Sequence, residues 1–183
     1  AEGMNDLVMA DEGIRFDASL DKLAGLNPVT EGGVITAGNA SQITDGAAAV
    51  MVCNDAGLKK IQANPRAEIV SISVVGDDPV FMLTGPIPAS IQALKTANLT
   101  IDDMDLYEVN EAFAPVPLAW AEDLKADRSK LNVNGGAMAL GHPLGATGAK
   151  LMTTLLHEME RRESTYGLQA ICEGGGTANA TII

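Results

Sequence analysis

Blocks of apolar residues punctuated by glycine, proline and short polar runs organise this chain, and the length and spacing of each block predict its element. Residues 1–33 carry little pattern. Asp11-Glu12-Gly13, Asp21, Gly25, Asn27-Pro28 and Gly32-Gly33 mark them as loop, and only Leu20, Leu23 and Leu26 recur at the spacing of a short helix. Val34 to Asn39 predicts a brief strand. Ala47 to Cys53 is a continuous apolar run of strand length, which predicts a strand buried on both faces. Asn54 to Gln62 reads as a short helix that Asn64-Pro65 brings to an end.

The pattern then restarts. Ala67 to Val75 alternates and is β-branched, hence a strand, and Gly76 to Pro88 reads as loop. Ser90 to Ala97 predicts a helix with Ile91 and Leu94 facing inward. Leu106 to Val109 predicts a strand. A helix follows with Val116, Trp120 and Leu124 on one face, and Pro115 and Pro117 in its first turn, where a missing N–H costs little. Asn132 to Gly148 holds five glycines, one proline and one of the two histidines in seventeen positions. Gly141 and Pro143 bracket His142 there, which presents the imidazole instead of burying it. Leu151, Met152, Leu155, Leu156 and Met159 then recur at helical spacing, with Lys150, His157, Glu158, Arg161 and Arg162 on other faces. The glycine loop therefore opens onto a helix N-terminus, which favours negative charge. Gly167 to Cys172 and Ala178 to Ile183 predict two strands around a turn of three glycines. Alternation of strand and helix over residues 67–183 predicts an α/β layered fold, its mixed sheet ending in an antiparallel hairpin.

Composition narrows the function classes. At 183 residues the length suits one unit with a sizeable core, built from aliphatic residues because aromatics are only 3%. Twelve basic residues against twenty-four acidic ones give a net charge of −12, which argues against a nucleic-acid surface. Cys53 and Cys172 have no metal-ligand or Cys-x-x-Cys spacing and read as reduced, which fits a cytoplasmic setting, and no metal site is expected. No run of eighteen apolar residues occurs, so a membrane partner is not expected either. Ala1-Glu2-Gly3-Met4 reads as neither a signal peptide nor a natural domain start, so the chain is expected to begin inside a larger unit.

Three residues combine chemistry with position. Asn110 follows a predicted strand, His142 sits on a loop opening a helix, and Cys172 ends a strand before three glycines. In open α/β sheets, ligands bind beyond the carboxyl ends of strands. A cysteine beside a Gly-Gly-Gly turn has backbone N–H groups at hand for a thiolate or an oxyanion, histidine moves protons near neutrality, and the Asn110 amide orients a water or donates directly. Each also has a plain reading: Cys172 as a small buried residue, Asn110 as a helix cap, Ser41 as a turn residue. His157 reads as solvated. Gly145 to Lys150 lacks the Gly-Lys-Ser/Thr of a phosphate loop, and no Gly-x-Gly-x-x-Gly follows a strand.

Five blocks in order resemble the C-terminal part of a thiolase, the acetyl-CoA acyltransferase family. They are Thr36 to Ser41 with Asp45 to Ala48, Gly85 to Ala89, Asn110-Glu111-Ala112-Phe113, Asn134 to Ala137 with Gly141 to Gly148, and Cys172 to Gly176. The resemblance covers nearly the whole chain. It implies a layered α/β/α/β/α fold and acyl transfer between CoA thioesters: thiolysis of a 3-ketoacyl-CoA, or the reverse Claisen condensation, as in fatty acid β-oxidation. Coenzyme A is then substrate, with no covalently bound cofactor. By resemblance, Cys172 is the acid/base cysteine, His142 activates the nucleophile, Asn110 holds an oxyanion-hole water, and the Gly174 N–H belongs to a second oxyanion hole. Ser41 matches a position near the pantetheine arm; Met82 is expected near the acyl group, and Gly141 of the Gly-His-Pro block is expected to bind substrate or CoA with them.

No residue here matches the family's nucleophilic cysteine, because Cys53 stands in the wrong context. Residues 1–63 resemble the end of a CoA-binding loop region and of the N-terminal half, and 64–183 the C-terminal half. A fragment needing an N-terminal half for activity is the expectation, from a family of homodimers and homotetramers. The alternatives are a non-catalytic or split thiolase-like subunit that binds acyl-CoA or a partner chain, and a ketoacyl-synthase-like condensing enzyme.

Overall fold

A computed structural model describes residues 9–183 of the chain; the loop reading of residues 1–8 lies outside them. Its elements are α1 (Leu20–Ala24), α2 (Asp55–Ile61), β1 (Ser71–Gly76), α3 (Pro86–Ala97), β2 (Leu106–Val109), α4 (Pro115–Leu124), α5 (Ala137–Leu140), α6 (Thr147–Arg162), β3 (Gly167–Cys172) and β4 (Thr177–Ile182). The strands form a mixed sheet in the order β1-β4-β3-β2. β3 and β4 make the antiparallel hairpin, β1 pairs antiparallel with β4, and β2 lies parallel to β3 from Leu106 opposite Gly167 to Val109 opposite Ala170.

Strand alternation sends side chains to two layers. Tyr107, Val109, Leu168, Ala170 and Ile182 meet α3 and α4 in the larger core. Trp120 anchors that core: fully buried, it donates its indole N–H to Ser90 Oγ at 2.8 Å and meets the Tyr107 ring edge-on at 5.2 Å. Ser71 and Ser73 donate to the Ala93 and Ala89 carbonyls at 2.9 and 2.6 Å, tying β1 to α3. On the opposite face Leu106 packs with Leu155, Met159 and Ile183. Burial of a side chain such as Leu155 contributes about 2 kcal/mol. Gly167 lets α6 close on β3, since a Cβ there would lie 2.9 Å from Leu155 Cδ1.

Several expectations need correction. Val34 to Asn39 forms no strand; it holds only the isolated bridge of Thr36 with Pro28. Asn39 explains it: Oδ1 accepts from the Thr36 N–H at 2.7 Å and Nδ2 donates to the Val34 carbonyl at 2.9 Å, taking groups that a ladder would use. Ala47 to Cys53 is neither a strand nor buried. Met51 is 77% exposed, because no described residue covers the run. The strand predicted from Ala67 begins at Ser71, although the Val70 N–H already donates to the Ile182 carbonyl. Helix α3 starts at Pro86, where proline fits the first turn, and turns Ala89, Ser90, Ala93 and Leu94 inward while Ile91 is 54% exposed. Glu158, on another face of α6 than its apolar stripe, is buried and accepts from Asn134, Arg161 and Arg162. These bonds, Arg161's first, hold its carboxyl down to about 2.

Candidate active site

The carboxyl ends of β2 and β3 and the loop before α6 converge. Asn110 follows β2 directly, and its N–H donates to the Ala170 carbonyl on β3 at 3.0 Å, two residues before Cys172. Asn132, in a left-handed conformation at φ 46°, accepts from the Val109 N–H and donates to the Val109 carbonyl, both at 2.9 Å, which caps the strand end on its open side. Glu111 then fastens the glycine loop: Oε1 accepts from Asn132 at 3.0 Å and Oε2 from the Met138 N–H at 3.1 Å. Gly136 has no Cβ because the Glu111 carboxylate occupies that space.

That loop delivers His142. Its N–H donates to the Gln42 carbonyl at 2.8 Å and it bridges Ile43 in parallel, so residues 39–43 run between the Asn-Glu-Ala-Phe block and the histidine loop. On the other side of this segment the Ser41 N–H donates to the Ala112 carbonyl at 3.0 Å. Gly141, at φ 83° and ψ 161°, takes a conformation open only to glycine, and a Cβ there would lie 2.5 Å from Thr44. Lys150 donates to the Leu140 and Gly141 carbonyls at 3.3 and 3.0 Å, fixing the backbone that enters His142.

The imidazole is oriented from both ends. Nδ1 lies 2.6 Å from the Thr147 hydroxyl, which itself donates to the Pro143 carbonyl at 3.0 Å. A Thr147 hydroxyl that gives its proton to the Pro143 carbonyl accepts from Nδ1–H, an assignment that places the ring hydrogen on Nδ1 and the lone pair on Nε2. Nε2 faces the Asn110 Nδ2 at 3.4 Å. The Asn110 amide is thereby turned with its nitrogen to the histidine and Oδ1 away; Oδ1 is buried without a partner. Burial first, and then the Lys150 ammonium, hold the His142 pKa below its ordinary value. The ring is a proton acceptor at neutrality.

Cys172 ends β3 and is 9% exposed, with its thiol pKa pushed up chiefly by burial. Beyond it the chain turns through Gly174–Gly176, with Gly175 and Gly176 at φ 78° and 84°. The Gly175 N–H donates to Met82 Sδ at 3.3 Å, which brings Met82, itself at φ 50°, onto the cysteine turn. A Cβ on Gly174 would meet nothing within 4 Å, so its backbone borders open space. The structure thus joins Asn110 to His142 directly, Ser41 to the Asn110 block, and Met82 to the Cys172 turn. A cavity of about 410 Å³ lies between Thr44–Ala48 and Pro143–Ala149, lined by neither His142 nor Cys172. No helix is long and apolar enough to cross a membrane, and no cluster of metal-ligand side chains occurs, among the described residues.

Sequence reasoning missed Thr147, Glu111 and Lys150. Thr147 stands five residues after His142, at the first position of α6, and is 2% exposed. Lys150 drew attention only as a failed phosphate-loop lysine. A lysine on the loop-facing side of a first helical turn was the available signal.

Residues 63–183 match the family described as thiolase, C-terminal domain, and residues 1–56 match thiolase, N-terminal domain. The chain is 60% identical over 173 residues to a steroid 3-ketoacyl-CoA thiolase of Mycobacterium tuberculosis, covering 94% of this chain and 42% of that protein. It is 48% identical over 177 residues to the mitochondrial 3-ketoacyl-CoA thiolase of Homo sapiens, covering 96% and 45%. Among solved structures, the acetyl-CoA acetyltransferase of Bacillus anthracis superposes with a TM-score of 0.89 at 43% identity, covering 94% of this chain and 44% of that one. Human mitochondrial 3-ketoacyl-CoA thiolase in complex with CoA gives 0.87 at 45% identity, covering 96% and 45%. The chain spans less than half the length of these relatives.

Proposed function

Because this chain belongs to the thiolase family, we propose that it supplies the acid/base half of a thiolase active site. The reaction is thiolysis of a 3-ketoacyl-CoA to acetyl-CoA and a shortened acyl-CoA, or the reverse Claisen condensation, with coenzyme A as substrate. The observation that carries this is the Asn110–His142–Thr147 chain, which turns the Nε2 of His142 toward Asn110 at the end of β2, beside the strand that ends in Cys172. His142 takes the proton of the nucleophilic cysteine, whose sulfur then attacks the substrate carbonyl. Cys172 moves the proton on the carbon next to the thioester carbonyl. Its raised pKa suits a thiol that gives a proton to a forming enolate. The unpartnered Oδ1 of Asn110 suits a water that donates into the oxyanion hole. We assign the Gly174 N–H to the other oxyanion hole and place Ser41, Met82 and Gly141 along the pantetheine arm and acyl group.

On this reading residues 1–63 close an N-terminal thiolase half, residues 64–183 form the C-terminal half, and the nucleophile comes from an N-terminal half. Exposed apolar residues support that: Met51 and Val52 on the unpaired run, and Ile72 and Val74 on β1, all more than half exposed, offer surface for a covering layer. A cytoplasmic homodimer or homotetramer in β-oxidation completes the reading, and the free Cys53 and Cys172 fit a reducing setting. The name of the 60% identical relative makes 3-ketoacyl-CoA from steroid breakdown the substrate class to try first.

Intact mass before and after acetyl-CoA tests the proposal. In the protein carrying this sequence together with its N-terminal half, one acetyl group should appear on a cysteine other than Cys53 or Cys172. No acetylation, or acetylation of Cys172, refutes it. The 183-residue chain alone should gain none.

A further inference from the structure

Behind the Asn110–His142 pair, between the sheet and α6, lies a carboxyl group that the chemistry above does not use. Glu108 stands two residues before Asn110 on β2, on the same face, in a strand buried at every position. It is 2% exposed, and its Oε2 has no hydrogen-bond partner. Gln169 is its register neighbour on the parallel strand β3, is 5% exposed, and has an Oε1 equally without a partner. Two acceptor oxygens therefore enter one layer from adjacent positions with no donor for either. An ionised carboxylate in that place would be a buried charge without a compensating bond. A proton on Glu108 would give both groups a partner, because a carboxylic acid O–H can donate to the oxygen of its register neighbour Gln169.

The charged groups around Glu108 agree. Glu111 beyond β2 and Lys150 and Glu158 on α6 face it, two carboxylates against one ammonium. Burial first, with Glu111 and Glu158 added and Lys150 opposed, pushes its pKa up to about 8. Lys150 makes no hydrogen bond to Glu108. Its ammonium instead holds the Leu140 and Gly141 carbonyls, the peptides that lead into His142.

We propose that Glu108 is a positioning residue held as a neutral carboxylic acid against Gln169, and that its proton leaves Lys150 free to clamp the backbone that aims His142. The clamp is a property of the fold and rests on the thiolase reading only for what His142 then does. Ionisation of Glu108 sets a carboxylate in competition with the two carbonyls for the ammonium, so the clamp loosens as pH rises through about 8. Neutral Glu108 and free Lys150 are one state; ionised Glu108 and a withdrawn Lys150 are the other.

Two readouts test this without using activity. Infrared spectra of the protein should show a carboxylic acid C=O band at pH 7 that disappears as pH rises past about 8 and is absent in Glu108→Gln. The backbone amides of Gly141 and His142, followed by NMR, should titrate with the same midpoint in the wild type and stay flat over that range in Glu108→Gln. Lys150→Met should shift both amides at pH 7, and Lys150→Arg should restore most of the shift. Absence of the acid band at pH 7 overturns the proposal, because it means that the Gln169 amide is turned to serve an ionised Glu108. Amides that titrate identically in wild type and Glu108→Gln also overturn it. If either variant fails to fold, the wild-type band and its match with the amide midpoint still decide.

Discussion

Thr147 and His142 are joined by a 2.6 Å contact that makes a side-chain hydroxyl, not a carboxylate, the orienting partner of the imidazole. A hydroxyl fixes the tautomer without adding negative charge, so it does not raise the affinity of the ring for a proton. The ring stays neutral, with its Nε2 toward the Asn110 amide nitrogen 3.4 Å away.

Replacing Thr147 by Val removes the acceptor for Nδ1–H and leaves a buried donor unpaired. The imidazole ¹⁵N shifts should then report a mixture of tautomers in place of the Nδ1–H form. In the protein with its N-terminal half, kcat should fall roughly 10²-fold, the scale of one misplaced acid–base group. Thr147→Ser keeps the hydroxyl and should restore both the shifts and the rate to within a few-fold.

Acid should weaken the fold through His142. Its pKa is lowered in the folded state, so between that value and the ordinary 6.5 the unfolded chain binds more protons. The stability it contributes is present above 6.5 and is lost as pH falls through the folded value. Urea midpoints measured from pH 7.5 downward should drop in the wild type, and His142→Gln should flatten that part of the curve. Equal slopes in the two proteins would contradict the assignment.

Gly141→Ala should cost about 2 kcal/mol or more, since φ 83° with ψ 161° is strained for any side chain and the new methyl would strike Thr44. Denaturant melts give the loss directly. Gly174→Ala, where a Cβ meets open space, is the control and should leave the midpoint within about 0.5 kcal/mol.

The two cysteines should differ in reactivity. Cys172 is buried and its thiol titrates above the ordinary range, whereas Cys53 is partly exposed. Iodoacetamide at pH 7.5 should therefore alkylate Cys53 well before Cys172 in the 183-residue chain, as read by peptide mass, because the accessible thiolate is the reacting species. Faster labelling of Cys172 would mean that a neighbouring group lowers its pKa.

Much of the fold was legible because it rests on local rules. The apolar spacing of Leu151, Leu155 and Met159 determines α6 and its buried face, and Gly167 to Cys172 determines β3 to the residue. Asn110, His142 and Cys172 stood out because polar or reactive types at strand ends and beside glycines have little packing purpose. Tertiary structure decided what depends on partners distant in sequence. Ala47 to Cys53 has the composition of a buried strand, yet burial requires a covering layer, and no described residue provides one. Ile91 and Glu158 lie on faces that helical periodicity alone assigns either way; contact with β4 and β3, and with Asn134, chose between them. The sequence determines that a histidine is presented on a glycine loop. Which of its nitrogens carries the proton follows only from Thr147, Pro143 and Asn110 meeting around it, since a tautomer is set by hydrogen bonds in space and not by spacing along the chain.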